Sequence, residues 1–200
     1  MTVGSQFRLG LTGSIGMGKS TTAGFFRAAG IPVWDADASV HRLYETGGPA
    51  VAPVRAICPE ATAQGYVDRS ILKDRIASDP SFLSRLEGIV HPLVAADRAE
   101  YAASAASDIV VFDIPLLFEK GTEAEMDATV LVTAPASLQR QRVLARPGMT
   151  EAQFTAILSR QMPDAEKRAR ATHVVETLSL DSVSAYVQAL IAYIRMLRDA

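Results

Sequence analysis

Short apolar runs and longer amphipathic stretches alternate along the chain. Phe7 to Thr12 alternates and then runs apolar, as a short buried strand does, and Thr21 to Ala29 has helical spacing closed by Gly30 just past the C-cap. Ile31 to Trp34, Asp108 to Phe112, Ala128 to Val132 and His173 to Glu176 read as further short strands. Asp181 to Leu197 closes the chain as an amphipathic helix whose Val183, Tyr186, Val187, Leu190, Ile191 and Ile194 are expected to pack on a sheet. The class expected is α/β. No repeat, low-complexity tract or linker divides the chain into independent parts.

One region is strand-poor. From Ser39 to about Ser107 the spacing is helical: Val40, Leu43 and Tyr44 share a face, and Gly47-Gly-Pro49 breaks the chain. Pro53, Pro59 and Gly65 punctuate the next stretch, Ser70 to Ala77 makes a short helix, and Asp79-Pro80 starts the longest one. Phe82, Leu83, Leu86, Ile89, Val90, Leu93 and Val94 supply its core face. His91-Pro92 interrupts that run, so a bend or restart is expected near His91.

A second helical region succeeds the fourth strand. Ala136 to Arg146 places Gln139, Arg142 and Arg146 on one face and Arg140 elsewhere. Pro147-Gly148 and then Thr150 as an N-cap give a hinged helical hairpin, which continues from Glu151 to Arg170 with a break at Met162-Pro163. Arg160, Lys167, Arg168 and Arg170 add positive charge, mostly as a solvated face.

The chemistry is concentrated between the first strand and the first helix. Gly13-Ser-Ile-Gly-Met-Gly-Lys-Ser20 fits the phosphate-loop pattern G-x-x-x-x-G-K-[S/T] in its required strand, loop, helix context. Gly13, Gly16 and Gly18 let the backbone wrap, so that N–H groups from Ser14, Ile15, Met17 and their neighbours converge on phosphate oxygens at a helix N-terminus. Lys19 adds a cation for the β- and γ-phosphates, and the Ser20 hydroxyl can ligate Mg²⁺. A dinucleotide fingerprint fits less well, because Ser20 and Thr21 stand where its third glycine belongs. Carboxylates come after two strands: Asp35-Ala-Asp37 after the second and Asp113 after the third, at the strand ends where ligands bind in open α/β sheets. Asp37 also reads as an N-cap for a helix from Ala38, with Asp35 as a turn residue, and Asp113 reads either as a water-mediated metal ligand or as a cap.

Composition narrows the partners. Two hundred residues bury a sizeable core, and 20 Lys+Arg against 22 Asp+Glu offer no basic footprint for nucleic acid or an anionic membrane. The single Cys58 excludes an internal disulfide and reads as a buried hydrophobe. Met1 to Gln6 shows no basic segment leading into an apolar one, and no apolar run approaches roughly 18 residues, so a cytoplasmic protein without membrane contact is expected.

Taken as an ordered set, the motifs resemble the dephospho-coenzyme A kinases, which phosphorylate the ribose 3′-hydroxyl of dephospho-coenzyme A with ATP. The resemblance runs through Gly10 to Thr21, the Asp35-Ala-Asp37 pair, Gly65-Tyr-Val-Asp-Arg69, Leu86 to His91-Pro92, Asp113-Ile-Pro-Leu-Leu-Phe-Glu119, and Gln139, Arg142, Arg146 and Gln161. Ala171-Thr-His-Val-Val-Glu-Thr177 departs from it, since the family usually has Ala-Asp, two or three apolar residues and Asn-x-Gly.

The resemblance implies a P-loop NTPase three-layer fold with a five-stranded parallel sheet in one kinase domain. Its core would comprise residues 1–37, 108–139 and 171–200, with a helical substrate insertion at 38–107 and a lid at 140–170. It also implies ATP bound by residues 13 to 21 and Arg146, with Mg²⁺ on Ser20. Dephospho-coenzyme A would meet Asp37, His91, Asp113 and Leu116, and a monomer is expected. Asp37 would orient the acceptor hydroxyl and take its proton, Lys19 would hold phosphate, and Arg142 would neutralise developing charge. A nucleoside monophosphate or sugar kinase is the nearest rival. A nucleotide-hydrolysing switch protein would need a guanine-reading N-K-x-D segment, which the sequence lacks.

Overall fold

The computed structural model describes residues 6–199; the expectation drawn from Met1 to Gln6 falls, Gln6 apart, outside the described residues. β1 (Phe7–Thr12) lies at the centre of the sheet because its neighbours cover both edges and its last four residues are buried. It runs parallel to β3 (Ile109–Asp113) on one side, with Leu11 opposite Asp113. On the other side it runs parallel to β4 (Ala128–Thr133), which is itself parallel to β5 (His173–Glu176). With β2 (Val33–Asp35) beyond β3, the order is β2-β3-β1-β4-β5, the five-stranded α/β sheet expected. β3 and β4 are buried along their whole length, which explains why they read as apolar runs rather than as alternation.

The chain packs as two compact units. In the first, which takes in residues up to Val33 and from Ala106 onward, α1 (Lys19–Ala28) and α9 (Leu180–Asp199) contribute to one core with the central strands. Phe26, Val183, Val187, Leu190, Ile191 and Ile194 lie in it beside Leu9, Leu11 and Val130, as the amphipathic pattern of the last helix predicts. The same unit carries α6 (Ala136–Leu144), α7 (Glu151–Leu158) and α8 (Asp164–Arg170). The hinge between the first two is built as the sequence indicates: Thr150 accepts from Gln153 N, and the Gln153 side chain accepts in return from Thr150 N, a complete capping box.

The second unit, residues 34–105, has its own core. Leu43 and Tyr44 of α2 (Ala36–Tyr44), Val51 and Val54 of α3 (Val51–Ile57), Leu72 of α4 (Arg69–Ser78) and Phe82, Leu86 and Val90 of α5 (Ser81–Ser104) meet there, with Cys58 buried among them. Asp97 on α5 accepts from Trp34 Nε1 at 2.7 Å and from Arg42 Nη2 at 2.8 Å, tying Trp34, just ahead of α2, and the last turn of α2 to the long helix.

Two local expectations are corrected in this unit. Of the bend or restart expected near His91, the restart does not occur: α5 continues through Pro92. The proline is on the exposed side of the helix, and burial of Phe82, Leu86 and Val90 along the opposite side outweighs one missing backbone bond. The N-cap of α2 is Asp35, whose Oδ1 accepts from Ala38 N at 2.9 Å; Asp37 lies inside the first turn. A helix that begins at Ala36 puts the third N–H two residues earlier on the chain than one beginning at Ala38, and only Asp35 can reach it.

Candidate active site

β1 ends at Thr12 and hands over to a loop that the rest of the unit grips from behind. A Cβ on Gly13 would come within 2.3 Å of Val132 Cγ2 and 2.7 Å of Val132 O, so this turn can pass β4 only as glycine. Met17 points its side chain into the core rather than outward, where its sulfur accepts from Ala134 N at 3.0 Å. Gly18, at φ 90°, is the N-cap of α1 and supplies no capping side chain, which leaves the first N–H groups of that helix to other acceptors. Ser20 and Thr21 are exposed on its first turn.

Both polar groups of the Ile15 residue are held by glutamines. Gln139 Nε2 donates to Ile15 O at 2.8 Å, and Ile15 N donates to Gln161 Oε1 at 3.1 Å. Gln139, on α6, is buried; Gln161 lies in the link between α7 and α8, beside Met162, whose N–H donates to Glu119 Oε1 at 2.9 Å. The two glutamines named in the motif set therefore meet at one loop residue.

Lys19 forms an ion pair with Asp113, the buried last residue of β3. Parallel pairing of β1 with β3 brings the strand-end carboxylate to the loop, so the two charged residues are neighbours through sheet register. Leu116, three residues on, is about one-third exposed at 36%.

The basic residues of 140–170 divide into two groups. Arg140 forms a two-point pair with Glu151 at 3.0 and 2.7 Å, Arg168 pairs with Asp164 at 2.7 Å and Glu176 at 3.2 Å, and Arg170 pairs with Glu123. Lys167 is fully buried against Glu119 at 2.8 Å, an exception to the solvated face expected of most of these residues. Among the described residues, Arg142, Arg146 and Arg160 have no carboxylate partner. Arg146 is exposed just past the end of α6, while Arg142 donates through Nη1 to Thr177 Oγ1 at 2.8 Å and through Nη2 to Thr177 O at 2.5 Å. Thr177 is a site residue that the motif reading passed over; its signal was the departure from the Asn-x-Gly pattern at this position.

In the second unit, Asp37 is exposed and its carboxylate makes no hydrogen bond or ion pair with another described residue. His91 is also exposed, 3.8 Å from Glu87 on the same helix. Among the described residues no group of three or more His, Cys, Asp or Glu could hold a metal ion, and no helix is long and apolar enough to cross a membrane.

A parallel sheet whose first strand opens into a lysine-bearing glycine loop defines a P-loop kinase fold. The sequence profile of the dephospho-CoA kinase family matches residues 7–181. The chain is 68% identical over 194 residues to the dephospho-CoA kinase of Cereibacter sphaeroides, covering 97% of this chain and 98% of that protein. Among solved structures, TT1252 from Thermus thermophilus superposes with a TM-score of 0.83 at 39% identity, covering 94% of this chain and 97% of that one. A dephospho-CoA kinase from Campylobacter jejuni shares the fold at a TM-score of 0.68 and 22% identity, with 94% and 96% covered. The chain belongs to the dephospho-CoA kinase family.

Proposed function

We propose that the protein transfers the γ-phosphoryl group of ATP to the ribose 3′-hydroxyl of dephospho-coenzyme A, giving coenzyme A. The observation that carries this is the 68% identity to a dephospho-CoA kinase over nearly the whole chain, together with a phosphate loop formed in full. ATP would supply the phosphoryl group, and the cytoplasm is the proposed compartment.

Phosphoryl transfer has a loose transition state with charge spread on the transferring oxygens, so positioning and electrostatics supply most of the catalysis. The N–H groups of Ser14, Gly16 and Gly18 to Thr21 and the Lys19 ammonium would bind the phosphates, while the expected contacts from Ile15 N–H and Met17 N–H are taken up inside the protein, by Gln161 Oε1 and Ser14 O. Arg142 and Arg146, the cations of α6 and its end without carboxylate partners, are available to answer charge that develops on the donor. Asp37, whose carboxylate has no competing partner among the described residues, would orient the acceptor hydroxyl and take its proton. A carboxylate is a weak base for an alcohol, but a loose transition state releases that proton late. Asp113, His91 and Leu116 are proposed to contact the acceptor.

The donor set fits Mg²⁺ held mainly by substrate. The Ser20 hydroxyl is exposed and makes no hydrogen bond to another described residue, and the absence of an acidic cluster among those residues leaves phosphate oxygens and water as the other ligands, as Mg²⁺ prefers. When bound, the ion would screen phosphate charge.

Incubation with ATP, Mg²⁺ and a panel of dephospho-coenzyme A, AMP, CMP, shikimate and gluconate, with products identified by mass, tests the reading. Dephospho-coenzyme A should be converted far faster than the rest. Comparable turnover of another acceptor would overturn it.

A further inference from the structure

Thr177 comes directly after β5 and is 6% exposed, yet its side chain carries three polar relationships. Its hydroxyl donates to Met17 O at 2.9 Å, with Thr133 O more distant at 3.3 Å, and accepts from Arg142 Nη1 at 2.8 Å. Its carbonyl accepts from Arg142 Nη2 at 2.5 Å, and its N–H donates to Thr133 O at 2.8 Å, fixing the residue to the end of β4. A hydroxyl has one hydrogen and two lone pairs, so a single Oγ can serve a loop carbonyl and a guanidinium at once. The side chain also packs on the loop, since a Cβ at Gly18 would lie 3.0 to 3.1 Å from its Oγ1, Cβ and Cγ2.

The consequence comes from peptide geometry. In a planar trans peptide the carbonyl of one residue and the N–H of the next point in opposite directions. Pinning Met17 O against Thr177 therefore turns Gly18 N–H away from Thr177. Gln139 does the same two peptides earlier: it holds Ile15 O and so turns Gly16 N–H away from Gln139. Arg142, bound through both terminal nitrogens, is planted beside the same loop and cannot swing freely.

We propose that Thr177 is a positioning residue for the phosphate loop and for Arg142, its one hydroxyl fixing the Met17–Gly18 peptide and the Arg142 guanidinium in a single arrangement. The part concerning Arg142 rests on the function proposed above. It also gives a physical content to the departure at 171–177: a threonine at this place supplies a hydroxyl that is both donor and acceptor from one atom.

The test uses the full chain, with kcat and KM for ATP measured alongside dissociation constants for a non-hydrolysable ATP analogue and thermal unfolding. Thr177→Val keeps the shape and removes both hydrogen bonds of the hydroxyl; Thr177→Ser keeps them and removes a methyl. Thr177→Val should weaken analogue binding and lower kcat/KM for ATP by about 10- to 100-fold, the loss expected for hydrogen bonds involving a charged group. Thr177→Ser should stay within about threefold of the parent, by the same reasoning. Added to Arg142→Ala, Thr177→Val should cost less than it does alone, because the arginine it positions is gone. A Thr177→Val protein with parental analogue binding and kinetics, whatever its melting temperature, overturns the proposal, as does a Thr177→Ser defect equal to that of valine. Parental kinetics in Arg142→Ala overturn instead the role given to Arg142, and an inactive parent overturns the proposed reaction.

Discussion

The ammonium of Lys167 on α8 lies 2.8 Å from Glu119 Oε1, with the lysine side chain fully buried. Apart from this lysine, α8 has only alanine, arginine and acidic residues, so the helix has no large apolar residue to turn inward. A buried ion pair is weak evidence for stability, but a strong constraint on place. Glu119 Oε1 also accepts from Met162 N, next to Gln161, so the pair fixes the link from which Gln161 reaches the phosphate loop.

Glu119→Gln should leave a buried ammonium without its counter-charge and cost about 3–5 kcal/mol, on the order of 10 °C in Tm for a chain of this length. Glu119→Gln combined with Lys167→Met should cost less than Glu119→Gln alone, since both charges are then removed. Equal or additive losses measured by thermal unfolding would show that the two residues are not coupled.

The same pair makes stability depend on pH. Burial pushes the Glu119 carboxyl up, but the Lys167 ammonium and the Met162 N–H outweigh it and hold the group below its usual range. Since the folded carboxyl titrates below the unfolded one, its contribution is fully present above about pH 4.3. It fades as pH falls through the depressed value. Denaturant unfolding from pH 7 down to pH 3 should show a slope that Glu119→Gln diminishes. An unchanged slope in the variant would assign the acid sensitivity to other carboxylates.

Lys19→Met should abolish transfer and also lower stability, because Lys19 is paired with a carboxylate that is 2% exposed. Asp113 keeps further interactions, so the expected loss is about 1.5–3 kcal/mol, the range for a hydrogen bond to a charged group, rather than the cost of an orphaned buried charge. Tm and ATP-dependent product formation check the two effects separately. A lysine serving phosphate alone would leave Tm unmoved.

Much of this was legible in the sequence, and the rest was hidden for physical reasons. β1 and β5 have the bounds their patterns predict, and the buried residues of α9 are those on its predicted apolar face, because burial acts on each residue separately and leaves a periodic record. The loop was legible because close packing at Gly13 and positive φ at Gly16 and Gly18 leave little choice but glycine. Lys167 was not, since charge predicts solvent and only the packing of Glu119 reveals otherwise. Nor was the continuity of α5, where a local rule about proline yields to burial along the helix. The assignment of the α2 cap to Asp35 turned on a shift of helix start by two residues, within the range at which sequence boundaries blur.

That last correction sharpens the choice between the two strand-end acids. Because Asp35 caps α2 and the Asp37 carboxylate has no partner among the described residues, Asp37→Asn removes neither a cap nor an ion pair. Its Tm and ATP affinity should therefore match the parent's while kcat falls by roughly 10²-fold or more, the loss expected of a general base. Asp113→Asn differs on each count: the residue is buried, paired with Lys19, and opposite Leu11 in the sheet. It should lower Tm and, through a disturbed lysine and phosphate geometry, raise the Mg²⁺ concentration needed for half-maximal rate. Titrating both variants with Mg²⁺ at saturating substrates separates the roles, because excess metal can strengthen phosphate binding but cannot replace a proton acceptor. Recovery of the Asp37 variant at high Mg²⁺, with no recovery of the Asp113 variant, would reverse the assignment and make Asp113 the residue that orients the acceptor.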